Sequence, residues 1–498
     1  MKKSLILTVA SLSLLSLPAS AQYKTKKALK EEATKSETQI ILDSAKKSES
    51  PVVITLDEAL MIALSENVSV KVADKEIERT GFAKKGSYAA LFPQIDISGV
   101  YQRTIKKQVM YMDFDMSKFM GSMPGGGTGG EGGTGGSGEL SETPSKDDGL
   151  EVGRWNTWSG GITAAMPLVN TQLWKSIKIS GLDVELAVEK AKASRLDMVT
   201  QVKTAYFSTL LAKEVFNVYK EVYENALRNL EETQKKYNVQ KASEFELIRS
   251  KTTLANAIPN VYDAESKVIL ALWQLKAVLG VDLDMNLDIA GKLDDYAVHM
   301  FYDIHQHDEI SLANNSTMKQ LAIQAEQLAH TIKIQQFAYI PSLAAVFNFS
   351  INAMTNDFNF SEYRWTPHSY VGLSLSIPIF SGGKRYNDVR QAKNMQQQVQ
   401  LQTINAERQL KIAIRNNLNT METSMKSYAA AQNAVEAAQK GYSIAEKAYQ
   451  VGHSTLIELN DAQLALTQSK LGELQAIFNF LIAKAQLEQT LGQDFIQE

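Results

Sequence analysis

The sequence predicts a mixed membrane protein in which four short amphipathic strands and two very long helices form an internal duplication that is completed by self-association. Three observations carry this prediction. Residues 373–392, "LSLSIPIFSGGKRYNDVRQA", pass from period-2 alternation to a helical pattern within twenty positions, and no proline occurs after Pro378. Residues 162–181, "ITAAMPLVNTQLWKSIKISG", make the same change. The stretch "KYNVQKASEFELIRSKTTLANA" (236–257) also aligns with "AYQVGHSTLIELNDAQLALTQS" (448–469). Tyr237 falls on Tyr449, Val239 on Val451, Ser243 on Thr455 and Leu247 on Leu459, always 449 − 237 = 212 residues apart.

Composition bounds the function. The 498 residues carry 52 Lys and Arg against 55 Asp and Glu, a formal charge of −3, so there is no polyelectrolyte footprint and no nucleic-acid partner is expected. Cysteine is absent, which removes disulfides, thiolate metal sites and a lipidated N-terminal cysteine. "MKKSLILTVASLSLLSLPASAQ" has two lysines, an apolar run from Leu5 to Leu17, and Ala19-Ser20-Ala21. It reads as a secretory signal over 1–21, too short to span a bilayer, so an exported chain with no helical anchor is expected. Residues 22–52, rich in Lys and Glu, are expected to be disordered.

The elements run in order along the chain. The first repeat, 53–280, opens with a helix at about 57–91 and strands at about 94–105 and 158–167. Between those strands lies a loop, 104–157, holding "GGGTGGEGGTGGSG". A long helix at about 172–236, a turn and a return helix at about 245–280 complete it. A linker, 281–312, leads to the second repeat, 313–492, with strands at about 342–353 and 369–379, a helix at 384–448 and a tail at 493–498. Each strand has about ten residues, the length of a tilted transmembrane strand, and the prolines fall at strand ends, where a missing N–H does least damage. Met421, Tyr428, Val435, Tyr442 and Tyr449 keep a seven-residue spacing, as do Phe216, Tyr223, Leu230 and Tyr237. Such a repeat specifies supercoiled helices. At 1.5 Å per residue each long helix is a rod of roughly 100 Å. The shorter leading and return helices, laid end to end, would match it.

Four strands cannot close a membrane barrel, and an open edge in lipid strands backbone groups at several kcal/mol each. Copies must therefore supply the missing strands, eight from two chains or twelve from three.

The residues that carry this order resemble the TolC family of bacterial outer-membrane efflux proteins. They are "TLDEALMIALSENVSV" (55–70), Phe92-Pro93 and Ile340-Pro341, the exits "MPLVN" and "IPIFSGGKR", and the turn "YQVGHSTLIELNDAQ" (449–463). The resemblance runs from about Val53 to Gly492. It implies a homotrimer whose twelve-stranded β-barrel sits in outer-membrane lipid and continues as an α-helical coiled-coil barrel through the periplasm. It further implies a passive duct fed by a periplasmic adaptor and an inner-membrane pump, in efflux or type I secretion, and no enzyme or cofactor. Adaptor contact would map to the turns Gln240, Lys241, Ala242, Ser243 and Gly452, His453, Ser454, Thr455. The first turn has Gln240-Lys241 where the family has glycine. The family's gate acids would map to Glu458 and Asp461, forming carboxylate rings that attract cations. A tip lock would map to Tyr449 bonded to Glu246. Plainer readings of these positions are a simple helix–turn–helix, two solvated carboxylates and the end of a heptad seam.

Other clusters point less far. Met110, Met112, Met116, Met120 and Met123 read as an apolar extracellular loop rather than a Cu(I) site. His299, His305 and His307 with Asp303 and Asp308 read as a solvated connector rather than a metal site. The glycine tract lacks a GK[ST] ending and is no phosphate loop. The rival reading is a secreted or periplasmic coiled-coil structural or adhesive protein in which the strands are mere interruptions. The transported substrate leaves no mark on the sequence, because the partner pump selects it first.

Overall fold

The computed structural model describes residues 51–110, 150–298, 300 and 311–492. The signal sequence, nearly all of 22–52, the glycine tract, Met112, Met116, Met120 and Met123, the His299–Asp308 cluster and the tail 493–498 lie outside them. The chain divides into two compact units: one of residues 85–177 and 333–389, the other holding the remainder.

The smaller unit is a four-stranded antiparallel sheet in the order β2-β5-β7-β8, with β2 Gln94–Arg103, β5 Asn156–Val169, β7 Ser342–Thr355 and β8 Thr366–Ser376. The expected strands are therefore paired rather than mere interruptions. Register sorts their side chains cleanly. Ile97, Ile162 and Phe349 line up across three strands on one face, and Ile95, Ala164, Phe347 and Val371 form the next row across all four. On the opposite face Asp96, Thr163, Asn348 and Tyr370 form one row, and Ser98, Gly161, Ser350 and His368 another. One face is mainly apolar and the other mainly polar, though it also carries Val100, Val346 and the Tyr370 ring, the kind of division expected between lipid and water. Gly161 is needed on the polar face, since a Cβ there would lie 2.6 Å from the Phe349 carbonyl oxygen. β3 (Gln108–Met110) and β4 (Leu150–Val152) add a short ladder beyond β2 and β5.

In the larger unit the leading helix is two helices, α1 (Leu56–Glu66) and α2 (Val68–Ala89), parted at Asn67. Asn67 is extended (ψ 132°); its amide group donates to the Val278 carbonyl at 2.7 Å, while its side-chain oxygen accepts from Ser69 N–H at 2.7 Å. The break docks the leading helix onto the end of the return helix α4 (Glu244–Leu279), whose cap Gly280 packs against Asn67. The second repeat does the same. Asn315, before α6 (Ser316–Phe337), donates to Thr490 at the end of α8 (Leu456–Leu491), and Gly492 packs against Asn314 and Asn315. Both glycines have positive φ (76° and 69°), the left-handed end of a helix that lacks room for a Cβ.

The long helices are α3 (Thr171–Asn238) and α7 (Lys384–Val451), 68 residues each. Met421, Tyr428, Tyr442 and Tyr449 are buried along α7 as the heptad predicts. Along α3 the heptad residues Phe216, Tyr223 and Leu230 are half-buried and Tyr237 is exposed in the single chain. The buried stripe there is Val218, Asn225, Ala226, Asn229 and Thr233, because α3 packs a partly polar face on α8 and α7. Linker residues 281–298 and Met300 fold onto the larger unit. β1 (Val52–Ile54) pairs in parallel with β6 (Leu287–Ile289), and α5 (Leu293–Ala297) comes next. Leu287, Ile289, Leu293 and Met300 join the main core. Tyr206 ties this layer to α3 by donating to the Ala290 carbonyl at 2.7 Å.

Candidate functional site at the two helical turns

The α3–α4 and α7–α8 turns share one backbone. Lys241 N–H donates to Lys236 O at 2.8 Å and Gln240 N–H to Tyr237 O at 2.9 Å; 212 residues on, His453 donates to Ala448 at 2.8 Å and Gly452 to Tyr449 at 3.2 Å. Both are Schellman motifs, which place one residue in left-handed conformation. That residue is Gly452 (φ 83°) in the second turn and Gln240 (φ 57°) in the first, the only non-glycine with positive φ among the described residues.

Each turn then starts a helix with a capping box. Ser243 N–H donates to Glu246 Oε2 at 3.0 Å while its hydroxyl accepts from Glu246 N–H at 3.2 Å. Thr455 and Glu458 repeat this at 3.1 and 3.3 Å. Glu458 receives one more bond, from the Ser454 hydroxyl, and that bond first, then the Thr455 amide, holds its carboxyl below the usual glutamate range. In the first turn Ala242 occupies the position of Ser454 and offers no hydroxyl. Asp461 lies three residues beyond Glu458 on α8 and is exposed.

The structure does not join Tyr449 to Glu246. The Tyr449 hydroxyl lies 2.7 Å from Thr233 Oγ1, and Lys236 Nζ sits 3.9 Å from the Tyr449 ring centroid while donating to the Tyr449 carbonyl. Glu246 is held by its own cap, yet lies close enough to add to the upward push that burial gives the Tyr449 phenol. Around Tyr449 a tight apolar cluster gathers Tyr442, Leu456, Leu459 and Leu466. Asn225 donates to Gln463 at 2.7 Å, Lys470 pairs with Glu221 at 2.7 Å, and α3 is thereby bound to α8. Thr233, Lys236, Asn225 and Gln463 were missed by sequence reasoning. The available signal was the polar stripe of Asn225, Asn229 and Thr233, four residues apart and so on one helix face.

No group of three or more His, Cys, Asp or Glu among the described residues is placed to hold a metal. No described helix is long and apolar enough to cross a membrane.

Known proteins share this architecture. The family model described as outer membrane efflux protein matches residues 59–281 and 309–493. Outer membrane protein TolC of Escherichia coli is 20% identical over 348 residues, 68% of this chain and 70% of that one. The alkaline protease secretion protein AprF of Pseudomonas aeruginosa is 20% identical over 369 residues, 70% and 72% of the two chains. Among solved structures, the Campylobacter jejuni CmeC outer membrane channel superposes with a TM-score of 0.66 at 18% identity, covering 90% of this chain and 89% of that one.

Proposed function

The chain belongs to the outer membrane efflux protein family, and on that premise we propose that three copies close their four-stranded sheets into one twelve-stranded barrel continuous with a helical duct. The protein is a channel of the bacterial outer membrane, serving efflux or secretion with a periplasmic adaptor and an inner-membrane pump. The observation that supports the trimer is the sheet itself. It has an apolar face and a polar face, and β2 and β8 at its edges each have one neighbour only among the described strands. In lipid those edges demand strands from other copies. Four strands enclose no lumen, whereas twelve leave one. Native mass spectrometry in mild detergent should give three chains per particle; a water-soluble monomer would sink the reading.

The turns are the proposed closed end, where the adaptor engages Gln240–Ser243 and Gly452–Thr455. Glu458 and Asp461 supply the gate carboxylates, each tripled by symmetry into a ring that concentrates cations. Glu458 also caps α8, so Asp461→Asn is the cleaner test: cation preference in a planar bilayer should fall with folding intact. Tyr449 closes the tip through Thr233 and Lys236, holding α7 against α3. Tyr449→Phe removes one hydrogen bond of about 1 kcal/mol, so open-state occupancy should rise roughly fivefold. Unchanged conductance would remove the lock while leaving the channel.

A further inference from the structure

All four strand-to-helix joints fall at one end of the sheet. The starts of β2 and β7 and the ends of β5 and β8 lie together there, because neighbouring strands are antiparallel. Within the smaller unit these joints span 85–93, 170–177, 333–341 and 377–389. They hold five basic residues, Lys85, Lys175, Lys333, Lys384 and Arg385, against the single acid Asp388, which pairs with Lys384 at 2.7 Å. The described residues of the connections at the opposite end, 104–110, 150–155 and 356–365, are nearly balanced, four Lys and Arg against three Asp and Glu. The basic excess is therefore greater where the strands meet the helices.

Every joint also presents an exposed aromatic: Tyr88 and Phe92, Trp174, Tyr339, and Phe380 with Tyr386. Rings of this kind seat at the headgroup level of a bilayer. The basic groups are built in beside them. Arg385 donates to the Pro378 carbonyl at 3.0 Å and its guanidinium lies 5.4 Å from the Tyr339 ring centroid. Gln172 donates to the Ile334 carbonyl at 3.2 Å, which fixes the start of α3 beside the end of α6, with Lys175 and Lys333 each one residue in from the terminal turn.

We propose that this end of the sheet is a headgroup belt that selects anionic phospholipids, of the phosphatidylglycerol kind, in the leaflet the helices leave. The aromatics set the depth, and Lys175, Lys333 and Arg385 supply cations at the level of the lipid phosphates. Symmetry would triple the belt into a collar. The inference rests on the outer-membrane reading, which cell fractionation tests separately: protein absent from the outer membrane would refute that reading, whereas protein present there without headgroup preference refutes the belt alone.

The test is lipid retention by the purified full chain, measured by native mass spectrometry from micelles doped with equal phosphatidylglycerol and phosphatidylcholine. Wild type should retain the anionic lipid at least about fivefold more, the contribution of roughly one Lys or Arg near an anionic surface. Lys175→Gln/Lys333→Gln should erase most of the preference with oligomeric state and heat resistance unchanged. Adding Arg385→Gln should erase the rest. Lys106→Gln/Lys107→Gln, at the other end of the sheet, should leave it intact. Equal retention of both lipids, a preference that survives all three substitutions, equal loss in the Lys106/Lys107 variant, or displacement of the lipid by millimolar inorganic phosphate would each overturn the proposal.

Discussion

The two helical turns have the same hydrogen bonds and different residues. Gly452 adopts φ 83° without strain, whereas Gln240 adopts φ 57° with a side chain that disfavours it. Their shared geometry is dictated by the helices they join. Each turn must end a 68-residue helix and start a 36-residue one within a few residues, and each does so through a Schellman motif and a capping box. In the first repeat Lys236 makes two contacts, its carbonyl accepting from Lys241 and its ammonium donating to the Tyr449 carbonyl. Topology sets the backbone here, and the residue is free to vary within about a kilocalorie.

The largest test of the duplication lies at the opposite ends of the return helices. Gly280 and Gly492 both close a return helix with positive φ against the asparagine that precedes a leading helix of the same repeat, but the crowding differs. A Cβ on Gly492 would lie 2.4 Å from the Asn314 carbonyl oxygen, whereas one on Gly280 would lie 3.0 Å from Asn67 Cα. Gly492→Ala should destabilise by about 3 kcal/mol, combining left-handed strain and overpacking, and Gly280→Ala by about 2. Urea midpoints of the purified oligomer check this. Equal losses would mean that the second joint relaxes and the two are interchangeable.

A smaller effect separates the turns themselves. Gln240→Gly should stabilise the protein by up to about 1 kcal/mol, and Gly452→Gln should cost about the same. The same urea midpoints read both, and opposite signs are required. If Gln240→Gly is neutral, the glutamine side chain makes a compensating contact, and the asymmetry between the repeats is only apparent.

Much of the architecture was legible in the sequence because it is periodic. The strand alternation, the α7 heptad of Met421 to Tyr449 and the 212-residue offset all survive as observed elements. The illegible part depends on contacts between distant residues. Asn67 looks like any helical polar residue until Val278 supplies its acceptor. Phe216, Tyr223 and Leu230 keep their heptad but lie beside the buried stripe, since periodicity fixes a spacing and not which neighbour it faces. The tip residues were found by resemblance, while the pairing of Tyr449 with Thr233 required coordinates, because sequence spacing says nothing about which of two nearby acceptors a phenol selects.

The smallest expected effect returns to the capping acids. Glu458 accepts from Ser454, whereas Glu246 has Ala242 at the matching place. A carboxyl lowered in the folded state contributes stability above its unfolded value, and that contribution is lost as pH falls through the lowered folded value. For Glu458 the loss therefore begins below about pH 4.3, the ordinary glutamate value. Ser454→Ala should move its titration back toward that value, and carboxyl-carbon NMR titration of the variant measures the shift. If Ser454→Ala leaves Glu458 unmoved, the Thr455 amide alone holds the charge, and the serine that distinguishes the second turn has no electrostatic role.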